Sequence, residues 1–275
     1  MNIALHSKDI MKIEAVTVCV GYADFLAETA KFNAGILDRW VIVTTEADEQ
    51  TREVCRIHDL QTVLTNDHQR VAGGIGGGAF NKGRMIDRGL QHLSQGSWRL
   101  HLDGDIVLPR QLRQMLEGAH LDDRKLYGCD RLMVRSWDQW QSFLRSRWLN
   151  HTHCSVNIPK GIEVGTRWAL SSSGYVPIGF FQLWHGSADE WRGRRHRTYP
   201  IQHGDCCRTD VQHSLQWDRR DRELLPEVIV VHLESEACRL GANWNGRKTR
   251  PFGPNPQCSP RPQYPQPIAP LRNYS

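Results

Sequence analysis

The chain has 275 residues, 39% of them hydrophobic and 24% charged, with a formal net charge of +5. That balance fits a globular α/β chain of one large or two small domains, and no apolar stretch approaches the roughly 20 residues of a spanning helix. The eight cysteines at 19, 55, 129, 154, 206, 207, 238 and 258 lack zinc-type spacing. The N-terminal residues lack the apolar run of a secretory signal, so a reducing, cytoplasmic setting is expected, with buried free thiols at Cys19 and Cys55.

The first element is the apolar run Ala15 to Val20, which suits a strand buried on both faces and turning at Gly21. Asp24 is placed to cap a helix reaching about Leu37. "RWVIVTT" (39–45) is a second strand ending in Thr44 and Thr45, and a helix over 46–60 leads to a third strand, "QTVLT" (61–65). This βαβαβ opening predicts a mostly parallel sheet with helices on both faces. The glycine-rich "VAGGIGGGAF" (71–80) lacks the spacing of a dinucleotide fingerprint and is expected to be a flexible loop before a helix over 80–93.

The next strand runs into "RLHLDGDIVLPR" (99–110), where Asp103 and Asp105 flank Gly104. In an extended segment, side chains two apart share a side, so the two carboxylates are expected to converge, with Gly104 leaving room for a ligand. Like charges that close repel unless a cation sits between them. Asp-Gly is equally the chemistry of a plain turn. Pro109 is positioned to open a helix over 109–119. Strands are expected at 125–134, 174–185 and 227–234, and a helix at 210–217, with 135–200 hard to assign. "WRGRRHR" (191–197) holds four arginines and a histidine, either a solvated loop or a patch for phosphates. Of ten tryptophans, Trp184, Trp217 and Trp244 are expected to be packing residues. One elaborated domain over 1–252 and a proline-rich tail over 253–275 fit the pattern.

In open parallel sheets, ligands bind beyond the carboxyl ends of the strands, where this chain places Gly21-Tyr22, Thr44-Thr45, Asp103-Gly104-Asp105 and His232. Oxygen ligands with one imidazole suit manganese or magnesium, completed by the phosphate oxygens of a nucleoside diphosphate. The ordered pieces "FNKGRMIDRGL" (80–90), "HLDGDIVLP" (101–109), "GYVPIGFFQLWH" (174–185), "RTDVQHSLQW" (208–217) and "VIVVHLE" (228–234) resemble a GT-A glycosyltransferase. The middle of the chain is similar to the β-1,4-galactosyltransferase group, and "GANWNGRKT" (241–249) is similar to the close of related bacterial and phage glycosyltransferases.

The resemblance implies a GT-A, Rossmann-like fold and transfer of a sugar from a UDP-linked donor to a hydroxyl of a saccharide, a protein or a hydroxymethylated DNA base. It implies Mn2+ or Mg2+ at Asp103, Asp105 and His232. Asn81, Lys82 and Arg84 would help hold the nucleotide, with Val20, Gly21, Tyr22, Thr44 and Thr45 at the base and ribose. Phe180, Phe181 and Gln182 would border donor sugar and acceptor. Asp210 aligns with the acidic motif that supplies the general base of inverting members, although the chain has "CCRTDVQ" where those enzymes carry a run of acids. As a helix cap, Asp210 would need no chemistry. A nucleotidyltransferase and a non-catalytic nucleotide- or glycan-binding module are the alternatives.

Overall fold

The structure, a computed structural model, describes residues 11–71, 74–75, 80–150, 158–170, 172–192, 208–235 and 249–254. The basic stretch 193–197, the cysteine pair 206–207, Trp244, most of the motif 241–249 and the tail from 255 lie outside the described residues.

The opening is the expected βαβαβ unit: β1 (Ile13–Val18), α1 (Ala23–Asn33), β2 (Arg39–Thr44), α2 (Glu49–Ile57) and β3 (Gln61–Leu64). β1 begins and ends two residues earlier than its apolar run, and Gly21, at φ +74°, makes the turn into α1. Tyr22, not Asp24, is the residue before α1, and the Asp24 carboxylate instead accepts the backbone N–H of Phe252. Phe252 stacks on Phe25 with ring centroids 4.8 Å apart, which seats the last described segment against α1.

β4 (Arg70–Val71) and β5 (Gly74–Ile75) form a small antiparallel pair within the glycine-rich stretch. α3 (Lys82–Leu90) follows, then β6 (Trp98–Leu102), β7 (Ile106–Val107) and α4 (Leu112–Gly118). β8 (Leu126–Val134) comes next, followed by α5 (Trp137–Arg145), β9 (Glu163–Val164), β10 (Ala169–Leu170) and β11 (Gly174–Tyr175). β12 (Phe181–His185), α6 (Ser187–Arg192), α7 (Arg208–Ser214) and β13 (Arg222–Leu233) complete the order.

The main sheet runs β3-β2-β1-β6-β12-β8-β13-β7, with β9 on β8. Its first four strands are parallel, as the opening pattern requires. Beyond β6 the sheet is mixed: β12 is antiparallel to both β6 and β8, β8 and β13 are parallel, and β7 is antiparallel to β13. β13 shifts register between Leu225 and Ile229, around Pro226, which has no N–H to give to a ladder.

Both faces are covered. One core gathers Ile13, Phe25, Leu26, Ile42, Leu100, Trp140 and Phe143, and the other gathers Val16, Val43, Met85, Ile86, Trp184 and Trp217. Trp184 and Trp217 are thus packing residues. Gly89 lets α3 lie close on the sheet, since a Cβ there would collide with Val16 and Val43. β6, β8 and β13 point the same way, so their carboxyl ends open at one edge of the sheet. The chain of β12 enters at that edge through Phe181, opposite Leu102.

Candidate functional site

Asp103 and Asp105 follow β6 at this edge. They sit on a turn rather than on continuing strand, with Ile106 N donating to Asp103 O at 3.3 Å. Strand alternation therefore does not set the positions of the two carboxylates; the Asp-Gly turn does. Gly104 is not required for space, because a Cβ there would meet only Thr17 at 3.5 Å.

The two aspartates face different partners. Lys82, in the first turn of α3, donates to Asp103 Oδ1 at 2.7 Å and to Asp210 Oδ2 at 3.1 Å. His232 Nε2 lies 3.2 Å from Asp105 Oδ2, and its Nδ1 lies 3.7 Å from Glu234 Oε1. Desolvation, reinforced by Asp105 and outweighing Lys82, raises Asp103 above the usual carboxylate range. Desolvation pushes Asp105 the same way, but the charge and hydrogen bond of His232 outweigh it and hold Asp105 below that range.

Among the described residues no three His, Cys, Asp or Glu side chains are gathered as a metal cage. Asp105 and His232 nevertheless fit a divalent cation in part. Asp105 Oδ1 is buried without a hydrogen-bond partner, His232 turns Nε2 toward the same carboxylate, and an oxygen-plus-imidazole set suits manganese or magnesium. Two protein ligands leave the remaining positions to phosphate oxygens. Asp103 stands beside this pair, with Lys82 already on one of its oxygens.

Asp210 is 3% exposed, in the first turn of α7 (Arg208–Ser214), and so is not the cap residue of that helix. Gly179 lies directly against it: a Cβ at 179 would collide with the carboxylate. His101 lies between the acids, its Nε2 3.7 Å from Asp103 Oδ1 and its Nδ1 3.7 Å from Asp210 Oδ1. Burial, with the Lys82 ammonium nearby, holds His101 well below the usual imidazole range, so the ring is neutral.

Gln182 supports this layer from below and is wholly buried. Its Nε2, with two N–H groups, lies within bonding distance of three acceptors, Asp210 O and Ser214 Oγ at 2.8 Å and Pro177 O at 2.9 Å. Its Oε1 therefore faces His101 Nδ1 at 3.2 Å and His213 Nδ1 at 3.3 Å, which assigns the proton of each ring to Nδ1. Sequence reasoning passed over His101 as a support of the site, although its alternation with Asp103 was visible. Phe180 and Phe181 are buried as well.

The strand-end residues of the opening unit form a second group. Asp48 Oδ2 accepts from Gly21 N at 2.6 Å and from Thr51 Oγ1 at 2.8 Å, and lies 3.4 Å from Thr44 Oγ1. Its Oδ1 accepts from Thr51 N at 3.1 Å, capping α2. Asp48 thus ties together the loops carrying Val20, Gly21 and Tyr22 on one side and Thr44 and Thr45 on the other. The sequence signal was an aspartate three residues before Thr51 at a helix start.

The three residues expected around the nucleotide separate. Asn81 is the cap of α3, accepting from Arg84 N at 3.2 Å and donating to Arg70 O, and it is fully buried. Lys82 enters the crevice. Arg84, about 200° further round the helix, faces away from it toward Asp67, Nε to Oδ2 at 3.3 Å. Arg88 and Arg70 join the same aspartate at 2.7 and 3.2 Å.

No protein-family model matches the chain, and no curated protein matches it. Among solved structures it is similar to glucosyl-3-phosphoglycerate synthase from Mycobacterium tuberculosis in complex with uridine-diphosphate, at 9% identity and TM-score 0.45, covering 84% of this chain and 73% of that one. It is also similar to the inositol-1-phosphate CTP transferase from T. maritima, at 8% identity and TM-score 0.42, covering 82% and 91%. A third is 4-diphosphocytidyl-2C-methyl-D-erythritol synthase from Anaerococcus prevotii, at 14% identity and TM-score 0.38, covering 83% and 91%. The β-1,4-galactosyltransferase group, which the motifs resemble, is not among these three. Likenesses this distant carry no argument about chemistry, which rests on the side chains.

Proposed function

We propose that the chain is a metal-dependent GT-A glycosyltransferase that moves a sugar from a UDP-linked donor to an acceptor hydroxyl. The observation that carries this reading is the meeting of the Asp103–Asp105 turn with His232 at the carboxyl edge of the sheet, beside the buried Asp210 held by Lys82.

Asp105 and His232 would hold Mn2+ or Mg2+, with the second oxygen of Asp103 nearby, and the ion would offset the charge of the departing nucleoside diphosphate. Val20, Gly21, Tyr22, Thr44 and Thr45 are assigned to base and ribose, with Asp48 fixing their loops. Lys82 balances Asp103 and Asp210 and, at 10% side-chain exposure, presents its remaining surface to the diphosphate side of the crevice. Asn81 supports Lys82 by starting α3 at the right point. Asp210 is assigned as the base that takes the proton of the acceptor hydroxyl, oriented by Lys82 and by the opening that Gly179 leaves. A neutral His101 between the acids adds no further positive charge there.

Thermal unfolding in the presence of UDP, GDP, CDP and TDP, each with and without Mn2+, tests the donor half of the proposal. A ligand at a hundredfold excess over its Kd stabilises the fold by about 2.7 kcal/mol. We expect UDP to raise Tm in the presence of Mn2+, and Asp105→Ala to abolish the metal-dependent part. Stabilisation by UDP that ignores both the metal and Asp105 would contradict the assignment of Asp105.

A further inference from the structure

β8 carries an arginine that the reading above does not use. In the parallel ladder of β8 and β13, Met133 pairs with His232 and Arg131 with Val230. Residues two apart on a strand share a face, so Arg131 stands on the same face of the sheet as His232. Standard strand spacing and rise put it one strand over and two residues back, roughly 8 Å away between Cα atoms.

The Arg131 guanidinium lies 4.5 Å from the centroid of the Phe180 ring. Its Nε is buried and has no hydrogen-bond partner. Among the described residues it pairs with no carboxylate, and its neighbour Asp130 is taken by Arg167 through two bonds of 2.7 and 2.6 Å.

Two glycines make room for this arrangement. A Cβ at Gly165 would come within 2.8 Å of Arg131 Cγ and Nε, and one at Gly128 would collide with the Tyr175 hydroxyl. Arg131, Trp168, Tyr175 and Phe180 line a small crevice of about 10 Å³, room for one water-sized group such as a single anion oxygen. Trp168 is 40% exposed on its wall. Phe180 directly follows Gly179, which touches Asp210, so the aromatic wall begins one residue from the candidate base.

A half-buried guanidinium with an unbonded N–H and no carboxylate is costly unless an anion completes it. The planar fork of arginine takes a carboxylate or phosphate through two hydrogen bonds. We propose that this crevice is a binding subsite for the acidic group of the acceptor, which makes the acceptor a small hydroxylated acid bearing a carboxylate or a phosphate. Naming the ligand an acceptor rests on the glycosyltransferase reading; the anion site itself does not.

The test follows the arginine Nε–Hε signals of the 15N-labelled full chain, with that of Arg131 identified by its loss in Arg131→Lys. Glycerate, glycerol 3-phosphate and glycerol are added separately, without nucleotide. We expect a saturable shift of the Arg131 signal with one or both acids and none with glycerol. Which acid acts distinguishes carboxylate from phosphate. By shifts of neighbouring backbone amides, affinity should fall at least tenfold in Arg131→Lys and vanish in Arg131→Gln; the lysine variant keeps the charge and stem should the glutamine variant misfold.

No response to either acid, an equal response to glycerol, or affinity unchanged in both variants would overturn the proposal. UDP binding, followed by thermal shift in separate aliquots of the same protein preparations, judges the donor reading separately. If UDP fails while the acids still bind through Arg131, the anion site stands and only its description as an acceptor site falls.

Discussion

Lys82 sets the charge balance of the crevice, because one ammonium answers two carboxylates that arrive from different parts of the chain. Asp210 depends on a second residue with no charge at all: only glycine at 179 leaves space for its carboxylate. Gly179→Ala therefore displaces Asp210. We predict a fall in turnover on the order of a hundredfold, the scale of a misplacement of about 1 Å, with UDP binding retained. Separate measurement of kcat and nucleotide affinity checks this, and equal loss of both would point to a collapsed crevice instead. At this scale the sequence was informative where chemistry sits on strand ends. The order of the motifs placed Asp105 near His232. It was uninformative about Gln182 and Asn81, whose amides read as ligand contacts but serve buried hydrogen bonds, since the sequence does not tell a ligand from a neighbouring backbone group.

The element that positions the site is α3, and its features can be tested away from the chemistry. Gly89→Ala would press a methyl group into Val16 and Val43, and overpacking of that kind costs about 1–3 kcal/mol. Chemical denaturation should show the loss; an unchanged or higher stability would mean that α3 is free to move off the sheet. Asp67 anchors the outer face of the same helix. Burial pushes its carboxyl up, but hydrogen bonding to Arg88 and the charges of Arg84, Arg88 and Arg70 prevail and lower it. A carboxylate depressed in the folded state contributes stability above its unfolded value, about pH 3.9, and loses it as pH falls through the folded value. We predict that Asp67→Asn lowers stability at pH 7 and flattens the decline below about pH 4, seen by denaturation at several pH values. α5 shows where element reading stopped. It lies in the tryptophan- and serine-rich region that resisted assignment, yet Ser136 caps it, accepting from Gln139 N at 3.2 Å, in the Ser-x-x-Gln pattern of a helix start.

Across the whole molecule the sheet divides at β6. Apart from the short antiparallel pair β4–β5 in the glycine-rich stretch, which was expected to be a loop, the chain before that strand follows a local rule, strand to helix to parallel strand, and its fold was legible from periodicity. Beyond it, β12 pairs with strands far away in sequence, and its direction depends on partners that no local pattern names. The crevice lies at that junction: parallel strands supply the open carboxyl edge, and the antiparallel insertion brings Gly179, Phe180 and Gln182 to it. Among the described residues no helix is long and apolar enough to cross a membrane.

The most direct measurement is of the product released. The full chain is incubated with Mn2+ and UDP-glucose or UDP-galactose, with a mixture of hydroxylated acceptors, and in parallel with UTP or CTP and a sugar phosphate. We expect UDP from the first set, dependent on the metal and lost in Asp105→Ala. Pyrophosphate from the second set, with no UDP from the first, would contradict it and make the chain a nucleotidyltransferase.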